Sequence, residues 1–141
     1  MLQVENLTVY YQTLKGQVRA LENASFTLAD GEIMGLAGES GCGKTTLGHS
    51  LIYLSPPMTH IGGRVLLGGQ ELPLADMPKM DAYRYTEISI IPQYAMNAMN
   101  PTRKIGQMTE ELLRAKKADV KTVMALLHER LDMVKLPQDV L

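Results

Sequence analysis

The run Gly35 to Leu51, GLAGESGCGKTTLGHSL, constrains this chain more than any other stretch, because glycines 38, 41 and 43 stand just before a lysine and two threonines. Gly38 to Thr45 satisfies the pattern G-x-x-x-x-G-K-[ST]. Before it lies EIMGLA, Glu32 to Ala37, a short apolar run that predicts a strand buried on both faces. After it, TTLGHSLIYL predicts a helix that stops before Pro56 and Pro57. Residues without a Cβ let successive backbone N–H groups converge on one point, and a helix starting near Lys44 adds the positive end of its dipole. The predicted product is a phosphate cradle made of Gly38, Glu39, Ser40, Gly41, Cys42, Gly43, Lys44, Thr45 and Thr46. In it Lys44 reaches the β and γ phosphates of a nucleotide, and the Thr45 hydroxyl completes the coordination of Mg²⁺. A glycine-rich turn with a surface lysine would leave the flanking strand and Thr45 without a purpose.

Charge makes a local anion site necessary. The chain has 141 residues with 14 Lys plus Arg against 15 Asp plus Glu, a formal charge of −1, so it exerts no long-range pull on nucleic acid or an anionic membrane. No apolar run approaches the roughly 18 residues of a spanning helix, and MLQVENLTVYY has neither a basic start nor an apolar signal core. A cytoplasmic location is the simplest expectation. Cys42 is the single cysteine, which excludes an internal disulfide; it reads as the small side chain a tight loop wants rather than as a redox thiol. The ten methionines read as adaptable core filler.

Elsewhere the periodicity changes along the chain. LQVENLTVYY and VRALENASFTL alternate as strands, with Gly16 and then Asp30-Gly31 as turns. GGRVLLGGQEL predicts a hairpin about Gly68-Gly69, and ISIIP, Ile88 to Pro92, predicts a further strand. From Ile105 onward the period is helical, with Val120, Val123, Met124, Leu127, Leu131 and Val134 on one stripe.

Taken in this order, the antiparallel opening, GESGCGKTT, the hairpin and the glutamine of ISIIPQYAMNAMNP resemble the N-terminal part of an ABC-transporter ATPase subunit over nearly the whole chain. The resemblance implies an α/β fold: a P-loop NTPase core with an antiparallel β subdomain in residues 1–91, a Q-loop region in 92–104 and the start of a helical subdomain in 105–141. It puts Gln93 where the family senses Mg²⁺ and the attacking water, and the Gln93 to Pro101 loop where the family has a hinge. Tyr11 falls where an aromatic ring stacks on adenine, with Tyr10 facing the other way. The linker LSPPMTHIGGRVLLGGQEL and Asn100-Pro101 are similar to those of dipeptide and oligopeptide importer ATPases. The sequence departs from that branch at Tyr94, Ala95 and Met96, so a nickel or sugar-related importer stays open as an alternative.

The implied substrate and ion are ATP and Mg²⁺, the implied activity is ATP hydrolysis coupled to transport of a solute, with peptide expected, and the implied place is the cytoplasmic face of the cell membrane. The implied partners are permease subunits and a second ATPase subunit, identical or different, and not nucleic acid. The family also needs an aspartate after an apolar strand, a catalytic glutamate, an L-S-G-G-Q signature and a switch histidine. None is legible: Asp132 lies in a helical period, and His49, His60 and His128 read as surface or helix residues. The chain therefore reads as an N-terminal fragment ending at LPQDVL before the signature, binding nucleotide weakly and hydrolysing little. Glu32 to Ala37 would then be partly unpaired, an aggregation-prone edge. Two other readings stay open, a non-catalytic nucleotide-binding or regulatory module and a different P-loop NTPase such as a small kinase or GTPase.

Overall fold

In the computed structural model, which describes residues 1–94 and 100–141, the first element is a long strand, β1 (Leu2–Thr13). A tight turn at Leu14 and Lys15 returns the chain into β2 (Gly16–Leu28). Later in the chain β3 (Met58–Leu67) and the short β4 (Gln70–Glu71) flank Gly68-Gly69, as the hairpin signature predicts. The four strands form one antiparallel sheet in the order β2-β1-β3-β4, so β1 is paired along both edges.

Strict alternation along β1 would put Val4 and Leu7 on opposite faces, yet both are buried. A bulge reconciles them. The register shifts between Val4 and Leu7, and Asn6 takes φ 49° with its N–H donating to the Ser25 Oγ at 2.8 Å. On the other edge Gly63, φ 81°, comes so close that a Cβ there would lie 2.3 Å from the Asn6 carbonyl oxygen. Only glycine permits that approach. With the bulge in place Val4, Leu7 and Val9 share one core with Val65, with Leu47 of the following helix, and with Leu54, Leu72, Leu74 and Met80.

That helix, α1 (Lys44–Ser50), is shorter than the stretch predicted and gives way to turns at Leu51 and Ile52. One turn of helix, α2 (Met77–Met80), is capped by the Asp76 carboxylate, which accepts from the Lys79 N–H at 3.2 Å.

Two strand predictions are corrected. Glu32 to Ala37 joins no ladder among the described residues and is exposed rather than buried, with Ile33 at 96%. A central parallel strand is buried by neighbours on both sides, and this sheet is antiparallel and closes without it. Ile88 to Pro92 is likewise extended without a ladder beyond one bridge, Arg84 to Ile88, and Ile91 is 90% exposed.

The chain divides into two compact units, Met1–Ile91 and Pro92–Leu141. In the second, α3 (Ile105–Ala115) and α4 (Val120–Met133) pack on each other. The predicted stripe is the inward face of α4: Leu131 is buried and Val120, Val123, Met124 and Leu127 are half-buried, while Val134, just past the helix, is exposed. Gln138 in a closing 3-10 turn donates to the His128 carbonyl at 3.2 Å and to the Asp132 carboxylate, which places Asp132 on a helix as its period predicts. The departures from the branch pattern at Ala95 and Met96 and the middle of the predicted hinge lie outside the described residues.

Two predictions follow from this packing. Replacing exposed Ile33 with Lys is expected to reduce self-association of the chain in light scattering while leaving its far-ultraviolet circular dichroism unchanged. At the start of α4 the Thr122 hydroxyl, then the Thr122 and Lys121 amides, hold the Asp119 carboxyl below the usual aspartate range. Its contribution is therefore complete above the ordinary aspartate pKa and is lost as pH falls through the lower folded value. Asp119→Asn, which caps without titrating, should flatten that acid-side loss of helical signal.

Candidate functional site

The glycine loop leaves the sheet and enters α1 through Gly43, which is the helix N-cap at φ 92° and offers no side chain to close the first turn. The first turn carries no acidic residue, so nothing neutralises the positive end of the helix from within. Gly43 is also the point where the loop meets the sheet: a Cβ there would lie 2.5 Å from the Ala20 carbonyl oxygen of β2. Loop position and helix position are thus set by a backbone contact that a glycine alone allows.

Lys44 curls back over this loop. Its ammonium donates to the Gly38 carbonyl at 2.8 Å and to the Glu39 carbonyl at 2.6 Å, and lies 3.4 Å from the Cys42 Sγ. A further turn bond runs from the Cys42 N–H to the Glu39 carbonyl at 3.3 Å. The loop therefore holds a cation on two of its own carbonyls. Glu39, Ser40, Gly41, Cys42 and Thr45 are exposed, so the cradle and the Thr45 hydroxyl open to solvent. Cys42 is a free thiol in this exposed loop.

Tyr11, near the end of β1, is half-buried and its hydroxyl lies 3.0 Å from the Thr46 Oγ1, either atom able to donate. Thr46 itself is buried. Tyr10 takes the opposite side: its hydroxyl donates to Glu22 at 2.8 Å, a bond that raises its pKa above the ordinary tyrosine value, and Arg19 lies 5.9 Å from its ring centroid. Of the residues singled out from sequence, Tyr11 and Gly38 to Thr46 belong to the first unit, with Tyr11 tied to Thr46 and Lys44 to its own loop. Gln93 belongs to the second unit, as an exposed turn residue.

Beside the loop lies a cavity of about 550 Å³ walled by Leu21, Ala24 and Phe26 of β2, Met34 and Leu36, and Leu47 and Leu51. Its wall is mostly hydrocarbon, with Ser25, Cys42 and Lys44 as its polar members. Among the described residues no group of three or more His, Cys, Asp and Glu side chains could hold a metal ion. Among them, too, no helix is long and apolar enough to cross a membrane.

Sequence reasoning missed two contacts that shape the site, Gly43 against Ala20 and Tyr11 with Thr46. Both join residues more than twenty positions apart, and the second follows only from the pairing that brings β1 beside α1.

Comparison with known proteins places the same residues in a wider setting. Residues 21–141 match the ABC transporter family. The chain is 37% identical over 140 residues to the dipeptide transport ATP-binding protein DppD of Bacillus subtilis, covering 97% of this chain and 42% of that protein. It is 34% identical over 139 residues to the oligopeptide transport ATP-binding protein OppD of Haemophilus influenzae, covering 98% and 43% respectively. With the dipeptide transport ATP-binding protein DppF of Escherichia coli it shares 37% identity over 119 residues, 80% of this chain and 34% of that protein. The chain thus spans 34–43% of the length of these relatives.

Gly43→Ala tests the junction directly. A left-handed φ and a blocked Cβ together are expected to cost about 1–3 kcal/mol, read as a lowered urea midpoint at unchanged slope.

Proposed function

The chain belongs to the ABC transporter family, and on that premise we propose that it is the nucleotide-binding portion of a transport ATPase whose solute is a peptide. The observation that supports this most is the Lys44 ammonium held among the Gly38 and Glu39 carbonyls at the open mouth of α1. A cation already sits in the loop, and the first N–H groups of α1, which have no partner within the helix, are of the right sign for phosphate oxygens. In this reading Gly38 to Gly43 wrap the phosphates of ATP and Lys44 turns from the loop carbonyls to the β and γ phosphates. Thr46 closes the first turn. The exposed Thr45 hydroxyl fits a Mg²⁺ held mainly by phosphate oxygens, since magnesium is met through few protein ligands; a metal role for Gln93 rests on the family resemblance alone. Bound there, Mg²⁺ would neutralise charge on the phosphates.

Tyr11 offers its ring to adenine while its hydroxyl stays on Thr46, so one side chain would join the base to the phosphate helix. The region 92–104 would act as the glutamine-bearing hinge and 105–141 as the start of the helical part that meets a permease. The intact transporter would hydrolyse ATP with a second ATPase subunit at the cytoplasmic face of a membrane. The peptide solute rests on the dipeptide and oligopeptide transport named for the relatives and on the Asn100-Pro101 branch feature.

Calorimetry with Mg-ATP tests the reading. Lys44→Ala is expected to abolish measurable binding without altering the circular dichroism spectrum, and Lys117→Glu to leave binding unchanged. Tyr11→Ala should weaken binding by about 1–3 kcal/mol, the usual worth of stacking on a base, while Tyr11→Phe retains most of it. A Lys44→Ala protein that binds like the parent, or a preference for GTP, would remove the proposal.

A further inference from the structure

Among the described residues Arg84 is the most buried of the ion-paired side chains, only 16% exposed, and its guanidinium joins three parts of the first unit. Its Nε donates to the Ile52 carbonyl at 3.0 Å, in the turn that ends α1, and its plane lies 5.0 Å from the Tyr53 ring centroid. Its Nη2 reaches the Met77 Sδ at 3.4 Å, and its Nη1 lies 3.6 Å from the Asp81 carboxylate. The backbone of the same residue is bridged to Ile88, with the Tyr85 N–H donating to the Ile88 carbonyl at 2.9 Å and the Ile88 N–H to the Tyr83 carbonyl at 3.1 Å. One side chain thus grips the far end of the helix that begins in the glycine loop, while its own backbone holds the start of Ile88 to Ile91. Arginine suits this place because its weakly hydrated, planar cation can stack on a ring, cap helix carbonyls and reach a carboxylate together.

From this geometry we propose that Arg84 is a positioning residue that couples occupation of the glycine loop to the Ile88–Ile91 run; the proposal rests on the nucleotide reading above. The route is short. Phosphate can enter only if Lys44 leaves the Gly38 and Glu39 carbonyls, which changes the restraint on the first turn of α1. A helix of seven residues is about 10 Å long and moves as one rod, so the turn at Leu51 and Ile52 that follows its last residue is carried with its beginning at Lys44. Arg84 is the side chain that takes up this end, and the bridge to Ile88 passes the displacement to the segment two residues before Gln93.

The test is amide hydrogen exchange of the full 141-residue chain with and without Mg-ADP, repeated in Gln93→Ala so that direct contact of the ligand or its metal with Gln93 is removed as an alternative route. In the parent chain Mg-ADP is expected to slow exchange over Ile88 to Ile91 by about fivefold or more, the lower range of measured site-to-site coupling. In Arg84→Gln binding should persist within about threefold, a change under 1 kcal/mol, and the slowing should disappear. A merely structural role would lower the unfolding midpoint and leave the ligand-dependent slowing intact. Should Arg84→Gln fail to fold by circular dichroism, Arg84→Lys keeps the charge near Ile52 and Tyr53 but loses the fork to Met77 and Asp81, and is expected to show reduced slowing. Parent chain that binds Mg-ADP with no change over Ile88 to Ile91, or a folded variant that keeps the full slowing, overturns the coupling alone. Parent chain that binds no Mg-ADP overturns the nucleotide reading and the coupling with it.

Discussion

The seating of Leu47 in the cluster of Val4, Leu7, Val9 and Val65 is what gives the glycine loop a fixed place. A loop of glycines has no preferred shape of its own, since each residue loses more backbone freedom on ordering than any other type. Its order is borrowed from what stands at either end. Here one end is helix α1, pinned through Leu47, and that pin holds only because the bulge at Asn6 turns Leu7 and Val9 to the same side as Val4. The approach of Gly63 to Asn6 supports the bulge from the opposite edge, so residues far from any phosphate decide where the N–H groups point.

The core of the first unit also shows how little area separates a settled sheet from an unsettled surface. Burial by the antiparallel strands is complete at Leu7, Val9 and Val65, whereas Ile33, Met34 and Leu36 are exposed, the last two lining a mostly apolar cavity. Single exposed apolar residues are ordinary on soluble proteins; a run of them beside such a cavity is not.

Much of this was legible in the sequence where the signal is local. The phosphate pattern, the two strand pairs with their glycine turns and the stripe from Val120 to Leu131 all depend on spacings within about fifteen residues, and the ABC transporter family follows from their order. Where burial depends on a neighbour supplied by another part of the fold, the reading failed. EIMGLA and ISIIP have the composition of central strands, but composition records a preference for burial and not the presence of partners. The bulge was hidden for a related reason: Asn6 interrupts the alternation, and nothing nearby in the chain shows that Gly63 will lie against it. Arg84 carried no motif at all, because its partners are drawn from residues 52 to 81 by folding.

The Lys44 ammonium is already held by two carbonyls of its own loop. Its bonds to the Gly38 and Glu39 carbonyls are charge-assisted, a class contributing roughly 1.5–3 kcal/mol each. Any anion arriving there meets an internal competitor and gains only the difference between the new contacts and the old. Affinity at such a loop is therefore an exchange quantity, and a weak apparent constant is compatible with strong individual contacts. Under the proposed reading the same exchange would give discrimination: a small anion unable to draw the ammonium away from two carbonyls at once would find the loop already satisfied, whereas a chain of phosphates would replace both bonds together.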